Sequence, residues 1–217
     1  VIAAADHPGL RMFQHREVYS IYERAEPPDT ALDDRPGEWI VCTPQTAAKF
    51  IALGYFFGRD LQRELGGTPV GLVHSSIGGT PIEAWTSLEV QQRDPASAPL
   101  LADWEKERTT ARSAGRPEPK APPVFRNLLV SKPGGLYNGM IAPLVPFAVR
   151  GVLWYQGERN AAGPFTQEYG RQLELMIRDW RDRWGDELYF AWVQLPRFQK
   201  EQQAPVEPFG WGAFVRD

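Results

Sequence analysis

Gly151-Val-Leu-Trp-Tyr-Gln-Gly-Glu-Arg-Asn160 is the stretch whose reading decides the fold. Gly151 to Tyr155 are apolar or β-favouring, a short run of the kind that central parallel strands carry. Gln156, Gly157, Glu158, Arg159 and Asn160 then arrive together at the strand's carboxyl end. In open α/β sheets, ligands bind in the crevice beyond the carboxyl ends of the strands. Gln156, Glu158 and Asn160 are therefore candidate site residues, with Gly157 giving the turn. The competing reading is a polar strand-to-helix turn that only solvates the chain.

Working outward, Pro69-Val-Gly-Leu-Val-His74 reads as another strand, and Ser75-Ser-Ile-Gly-Gly79 as a tight turn at its carboxyl end. Thr80-Pro-Ile-Glu83 has the form of a capping box with Pro at the first helical position, which predicts a helix start. Backbone N–H groups before such a helix are unpaired and favour negative charge, so Gly78 and Gly79 are candidate donors to an oxyanion. A tight turn that needs Gly for backbone reasons alone is the plainer reading. His74 lies beside Ser75 and Ser76, so a local Ser–His pair is conceivable. Neighbours on a strand point to opposite faces, which argues against His74 bonding Ser75 directly.

The other elements follow the same alternation. Residues 1–9 read as the end of a helix and Leu10–Gln14 as a strand. Residues 24–37 read as a loop and Glu38–Cys42 as a short strand. Thr43-Pro44 opens one long helix that runs to Gly66-Gly67, with Ala47, Phe50, Ile51, Gly54, Phe57, Leu61 and Leu65 on its apolar face. Residues 91–135 read as a surface insertion. Pro133–Pro143 is a loop in which Tyr137 and Asn138 are of types that bind polar ligands. Pro164–Trp184 is an amphipathic helix ended by Gly185, Leu188–Gln194 is a strand, and Phe209–Asp217 is the start of a further helix. Strand, helix, strand, helix, strand predicts an α/β fold with a parallel sheet covered on both faces, as a single domain over 1–217.

Composition narrows the function. With 24 Lys and Arg against 27 Asp and Glu in 217 residues, the net charge is −3, and no basic surface points to nucleic acid. No apolar run approaches a membrane span. The lone Cys42 excludes an internal disulfide. No cluster has metal-ligand spacing and no Gly-rich loop matches a nucleotide fingerprint, so no cofactor is expected. The eight Trp read first as core packing, with sugar stacking as the functional alternative.

Nucleophilic acyl chemistry needs a nucleophile, a base with its orienting acid, and donors for the oxyanion. Donors are present in Gly78, Gly79, Gln156 and Asn160. His7, His15 and His74 are the histidines, and no Gly-x-Ser-x-Gly elbow occurs.

Pro69-Val-Gly-Leu-Val-His-Ser-Ser-Ile-Gly-Gly-Thr-Pro-Ile-Glu-Ala-Trp85 resembles the second block of the sialate O-acetylesterase family, within the SGNH/GDSL-type hydrolases. Leu136-Tyr-Asn-Gly-Met-Ile-Ala-Pro143 and Trp154-Tyr-Gln-Gly-Glu-Arg-Asn160 resemble its third block, and Gly37-Glu-Trp39 and Tyr55-Phe-Phe-Gly58 extend the likeness. Arg159 departs from the pattern, which has Ser there. The resemblance implies a three-layer α/β/α sandwich with a mostly parallel sheet, SGNH-hydrolase-like and flavodoxin-like, incomplete at both ends. It implies hydrolysis of O-acetyl esters on carbohydrates such as sialic acids, and a periplasmic or secreted setting. The family's nucleophile, in Gly-Gln-Ser-Asn, would precede Val1, and its Asp-x-x-His would follow Asp217. By the same resemblance Gly78 or Gly79 and Gln156 are the oxyanion donors. Glu158 and Asn160 brace the turn or meet sugar, and His74 and Ser75 line the site.

Overall fold

The computed structural model describes residues 2–15, 31–32, 35–36, 38–119, 122, 132–161, 166–185 and 187–196. The helix start expected at Phe209–Asp217 lies outside them, as does most of the 24–37 loop. The described residues divide between Ile77 and Gly78 into two compact units.

The first unit is built on β1 (His7–Gln14), which begins three residues before the expected Leu10. Pro8 and Gly9 are absorbed by an irregularity in the register between His7 and Arg11, a place where a strand tolerates a missing donor. The two-residue strands β2 (Ala31–Leu32) and β3 (Arg35–Pro36) pair with each other. β4 (Ile40–Cys42) runs antiparallel to β1, and β5 (Val70–His74) runs parallel to it, from Leu10 opposite Val70 to Gln14 opposite His74. The sheet order is β4-β1-β5 and the sheet is mixed, so a mostly parallel sheet is not confirmed. A short antiparallel edge strand beside a parallel pair is common in α/β proteins. Leu10 and Met12, two apart on one face of β1, are fully buried beside Ile40, Cys42 and Tyr55.

Thr43 caps as expected: its Oγ1 accepts from Thr46 N–H at 3.3 Å, and Thr46 Oγ1 accepts from Thr43 N–H at 2.8 Å. The helix it opens, α1 (Pro44–Ala47), lasts one turn, and α2 (Ala52–Glu64) starts afresh after an extended Ile51. The expected single helix is thus two. The break lets Phe50 and Ile51, adjacent in sequence, both pack on the core cluster. α2 lies close on the sheet at Gly58, where a Cβ would sit 2.8 Å from Leu72 and 2.9 Å from Leu10.

The second unit contains a parallel pair, β6 (Gly151–Trp154) and β7 (Tyr189–Trp192), in register from Gly151 opposite Tyr189 to Trp154 opposite Trp192. Between them in sequence come a one-turn α5 (Glu158–Ala161) and the long α6 (Tyr169–Trp184), which Gly185 closes in the left-handed region at φ 63°. This is the expected strand–helix–strand unit. Met176 and Trp180 of α6 face inward. Trp180, Trp154 and Trp85 meet edge to face at 6.0 and 6.3 Å between centroids, so these tryptophans are core. α3 (Leu88–Arg93) runs into the expected insertion, and α4 (Ala98–Ser113) lies within it. Its charged helix is anchored: Trp104 is buried and its Nε1 donates to Pro119 O at 3.0 Å. Tyr137–Ile141, expected as loop, is a turn of wide helix instead. Leu136, Tyr137, Met140 and Ile141 are all buried there, and burying four apolar side chains outweighs the local turn preference of Asn and Gly.

Candidate active site at the end of strand β6

β6 stops at Trp154, and Gly157, with φ 141°, turns the chain into α5. Only Gly holds that backbone without strain. The turn sends Gln156 and Asn160 inward and leaves Glu158 and Arg159 exposed. Asn160 is buried, and its Oδ1 accepts from Ile82 N–H at 3.0 Å and from Gln156 Nε2 at 3.0 Å. Its Nδ2 donates to Glu83 Oε2 at 3.0 Å. Gln156 Nε2 also donates to Thr80 O at 2.8 Å. Tyr169 closes the ring, its hydroxyl donating to Gln156 Oε1 at 2.7 Å and accepting from Trp154 Nε1 at 2.9 Å. Burial holds the Tyr169 phenol well above its ordinary range, so it stays a donor.

The Thr80–Glu83 segment differs from the expected helix. Only Ile82–Ala84 coil, as a single tight turn, and no side chain caps it. Thr80 Oγ1 accepts from Trp85 Nε1 at 2.9 Å rather than from a backbone N–H. Glu83, expected to fold back onto the cap, points into the core instead. A three-residue turn has little dipole, so that part of the anion argument falls away. The two glycines keep the rest of it. Gly78 and Gly79 are exposed, and Gly79 adopts φ 73°. Nothing lies within 4 Å of a Cβ placed on either, and among the described residues neither N–H has a partner. Two amide hydrogens without a partner among the described residues thus lie on an exposed turn whose following residues, Thr80 and Ile82, are pinned to Gln156 and Asn160.

Gln156 takes a different part from the one expected. Both of its Nε2 hydrogens are spent, on Thr80 O and Asn160 Oδ1, so in this arrangement the side chain braces the Gly78–Gly79 turn. The same holds for Asn160. Tyr137 is 1% exposed, with the Arg183 guanidinium 5.0 Å from its ring centre, and Asn138 is buried within the same turn. Both are packing residues here.

In the first unit, the local Ser–His pair exists, but through Ser76 rather than Ser75. His74 Nε2 lies 2.6 Å from Ser76 Oγ, and its Nδ1 lies 3.0 Å from Gln14 Oε1. An amide oxygen can only accept, so Nδ1 carries the hydrogen and Nε2 faces the exposed hydroxyl as a base. Burial lowers the His74 pKa, which keeps the ring neutral.

Sequence reasoning missed Tyr169, Glu83, Gln14 and the acceptor role of Thr80 O. Tyr169 and Glu83 carried a weak signal, as polar groups on faces otherwise reserved for apolar side chains. The backbone acceptor and Gln14 carried none. No group of three or more His, Cys, Asp or Glu among the described residues could hold a metal ion, and no described helix is long and apolar enough to cross a membrane.

Several known proteins are similar to this chain in sequence or in fold. The family model described as "Carbohydrate esterase, sialic acid-specific acetylesterase" matches residues 127–209. The human sialate O-acetylesterase is 34% identical over 131 residues, covering 60% of this chain and 21% of that protein. The rat sialate O-acetylesterase is 34% identical over 145 residues, covering 60% and 25%. The chain thus spans about a quarter or less of the length of these relatives. The crystal structure of a carbohydrate acetylesterase from Xanthomonas citri superposes with a TM-score of 0.66 at 35% identity, covering 89% of this chain and 35% of that one.

Proposed function

We propose that this chain, a member of the sialate O-acetylesterase family, forms the oxyanion side of a site that removes O-acetyl groups from sugars such as sialic acids. The observation that carries the reading is the 2.8 Å bond from Gln156 Nε2 to Thr80 O. It ties the end of β6 to the residue that follows the Gly78–Gly79 turn.

In the proposed reaction a serine oxygen attacks the acetyl carbonyl carbon, and negative charge forms on the carbonyl oxygen. The N–H groups of Gly78 and Gly79 receive it, while Gln156 and Asn160 keep the turn from yielding. Donors fixed in advance act where charge develops and need no reorganisation. The tetrahedral intermediate then expels the sugar hydroxyl, and water releases acetate from the serine. The reading assigns the Ser, His and Asp of that chemistry to segments that Val1–Asp217 does not contain.

The test is Gln156→Ala in the intact protein with an O-acetylated sialic acid. Loosening the brace is expected to lower kcat/KM by roughly 100-fold, the scale of a misplacement near 1 Å. An unchanged turnover removes Gln156 from the mechanism.

One observation favours a second reading. The Ser76–His74–Gln14 relay has the geometry of a nucleophile, a base and a group that orients the base. Assay of residues 1–217 alone with p-nitrophenyl acetate separates the two. The first reading expects no turnover above background. Turnover abolished by Ser76→Ala, and kept in Ser75→Ala, would put the nucleophile in this chain.

A further inference from the structure

Glu83 is 5% exposed, yet among the described residues its Oε1 has no hydrogen-bond partner, while its Oε2 accepts from Asn160 Nδ2 at 3.0 Å. A buried carboxylate with no adjacent counter-ion and an oxygen left unpaired is costly to keep charged. The cation whose charge reaches it is Arg171 on α6, and that guanidinium is already engaged by Asp94 and Glu168. Gln172, also on α6, turns its amide to the carboxyl, and its own Oε1 is a second buried oxygen without a partner among the described residues. Two buried acceptor oxygens, one on each of these side chains, are thus left without a hydrogen.

We propose that Glu83 is a positioning residue that stays protonated in the folded protein, its Oε1 hydrogen shared with the Gln172 amide and its Oε2 fixing Asn160. Through Asn160 it sets the two acceptor bonds of Oδ1, to Ile82 N–H and to Gln156 Nε2, and so the geometry of the Gly78–Gly79 turn. Burial raises the Glu83 pKa; its own backbone N–H, then the Asn160 and Gln172 contacts and the charge of Arg171, act the other way and are smaller. The titratable groups around it are Arg171 and Tyr169 from α6, and Tyr169 stays neutral. Since the folded pKa lies above the unfolded one, the folded state binds the extra proton. Stability is therefore full below the ordinary Glu range and falls as pH rises toward the raised value.

The catalytic part of this role rests on the esterase reading; the protonation does not. The experiment compares Glu83→Gln and Glu83→Ala in the intact protein. Glutamine keeps an acceptor for Asn160 and offers hydrogens to Gln172. It is expected to melt within about 2 °C of the parent near neutral pH and to lose the parent's alkaline decline. Alanine leaves Asn160 Nδ2 unpaired and is expected to melt more than about 5 °C lower. Infrared spectra of the parent should carry a buried protonated-carboxyl band near neutral pH that disappears in Glu83→Gln. Absence of that band, or a Glu83→Gln variant as damaged as Glu83→Ala, overturns the proposal. On O-acetylated sialic acid, Glu83→Gln should retain turnover and Glu83→Ala should lose roughly 100-fold. Band and melting points as expected, with no deacetylation by the parent, would sink the esterase reading and leave Glu83 standing.

Discussion

The hydroxyl of Tyr169 donates to Gln156 Oε1 at 2.7 Å while accepting from Trp154 Nε1. That bond decides which end of the Gln156 amide carries hydrogen, because an oxygen on one side forces Nε2 toward Thr80 O and Asn160. Tyr169→Phe keeps the ring and removes the link. It orphans a largely buried indole N–H and an amide oxygen, at a cost of about 1–3 kcal/mol. The urea midpoint should fall accordingly with the m-value unchanged. An unchanged midpoint would mean that the phenol does not orient the amide.

A second expectation concerns acid. His15 is buried, and neither ring nitrogen has a hydrogen-bond partner among the described residues. Burial, with a smaller push from His74, lowers its pKa from 6.5 to about 4. The folded pKa lies below the unfolded one, so the folded state binds fewer protons between these values. Stability is therefore full above pH 6.5 and declines as pH falls toward about 4, by about 2–3 kcal/mol. His15→Phe, which keeps a ring against Phe13, should flatten that stretch of the acid limb in a denaturation series. A limb of unchanged slope would assign the acid sensitivity elsewhere.

Periodicity and turn chemistry made much of this legible. The β5 and β6 strands, the Thr43 cap, the Gly185 stop and the inward face of α6 all follow from local rules that tertiary packing did not override. The failures share a cause. At Thr80–Glu83 the capping-box residues were right for a helix, but Trp85 Nε1 claimed the Thr80 hydroxyl and Asn160 claimed the Glu83 carboxyl. At Tyr137–Ile141 a run of turn formers was coiled by four buried apolar neighbours. Asn160 sits 77 residues from Glu83, and no local window sees such a partner. The site residues were legible as types, while the direction of each hydrogen bond was not. For that reason the sequence offers Gln156 as a donor to substrate, while in the structure both of its Nε2 hydrogens are engaged within the protein.

Asp179 offers a test of what holds α3 to α6. Its Oδ2 accepts from Ser87 N–H and its Oδ1 from Ser87 Oγ, both at 2.8 Å, and Arg183 Nε donates to Oδ1 at 2.8 Å. The carboxylate is buried, and from another helix it holds Ser87, the residue whose Oγ caps α3 by accepting from Val90 N–H. Asp179→Ala leaves the Ser87 amide and hydroxyl buried without it, and should destabilise by about 3 kcal/mol. Asp179→Asn keeps one acceptor oxygen and should cost less. Equal losses in the two variants would show that the charge, rather than the cap, is what matters.

The glycine pair separates backbone need from chemical need. Gly79 has φ 73°, whereas Gly78 has no positive φ, and both have open space where a Cβ would go. Gly79→Ala should therefore cost about 1 kcal/mol through strain alone, and Gly78→Ala less than about 0.5 kcal/mol. Alanine leaves both N–H groups in place. If the two amides serve as oxyanion donors, deacetylation should survive Gly78→Ala nearly intact and fall in Gly79→Ala only as far as the turn shifts. N-to-O ester replacement of the Gly78 or Gly79 amide removes the hydrogen and keeps the shape, and should slow turnover by roughly 100-fold or more. Full activity in both ester-substituted proteins would place the oxyanion elsewhere, however well the turn is braced.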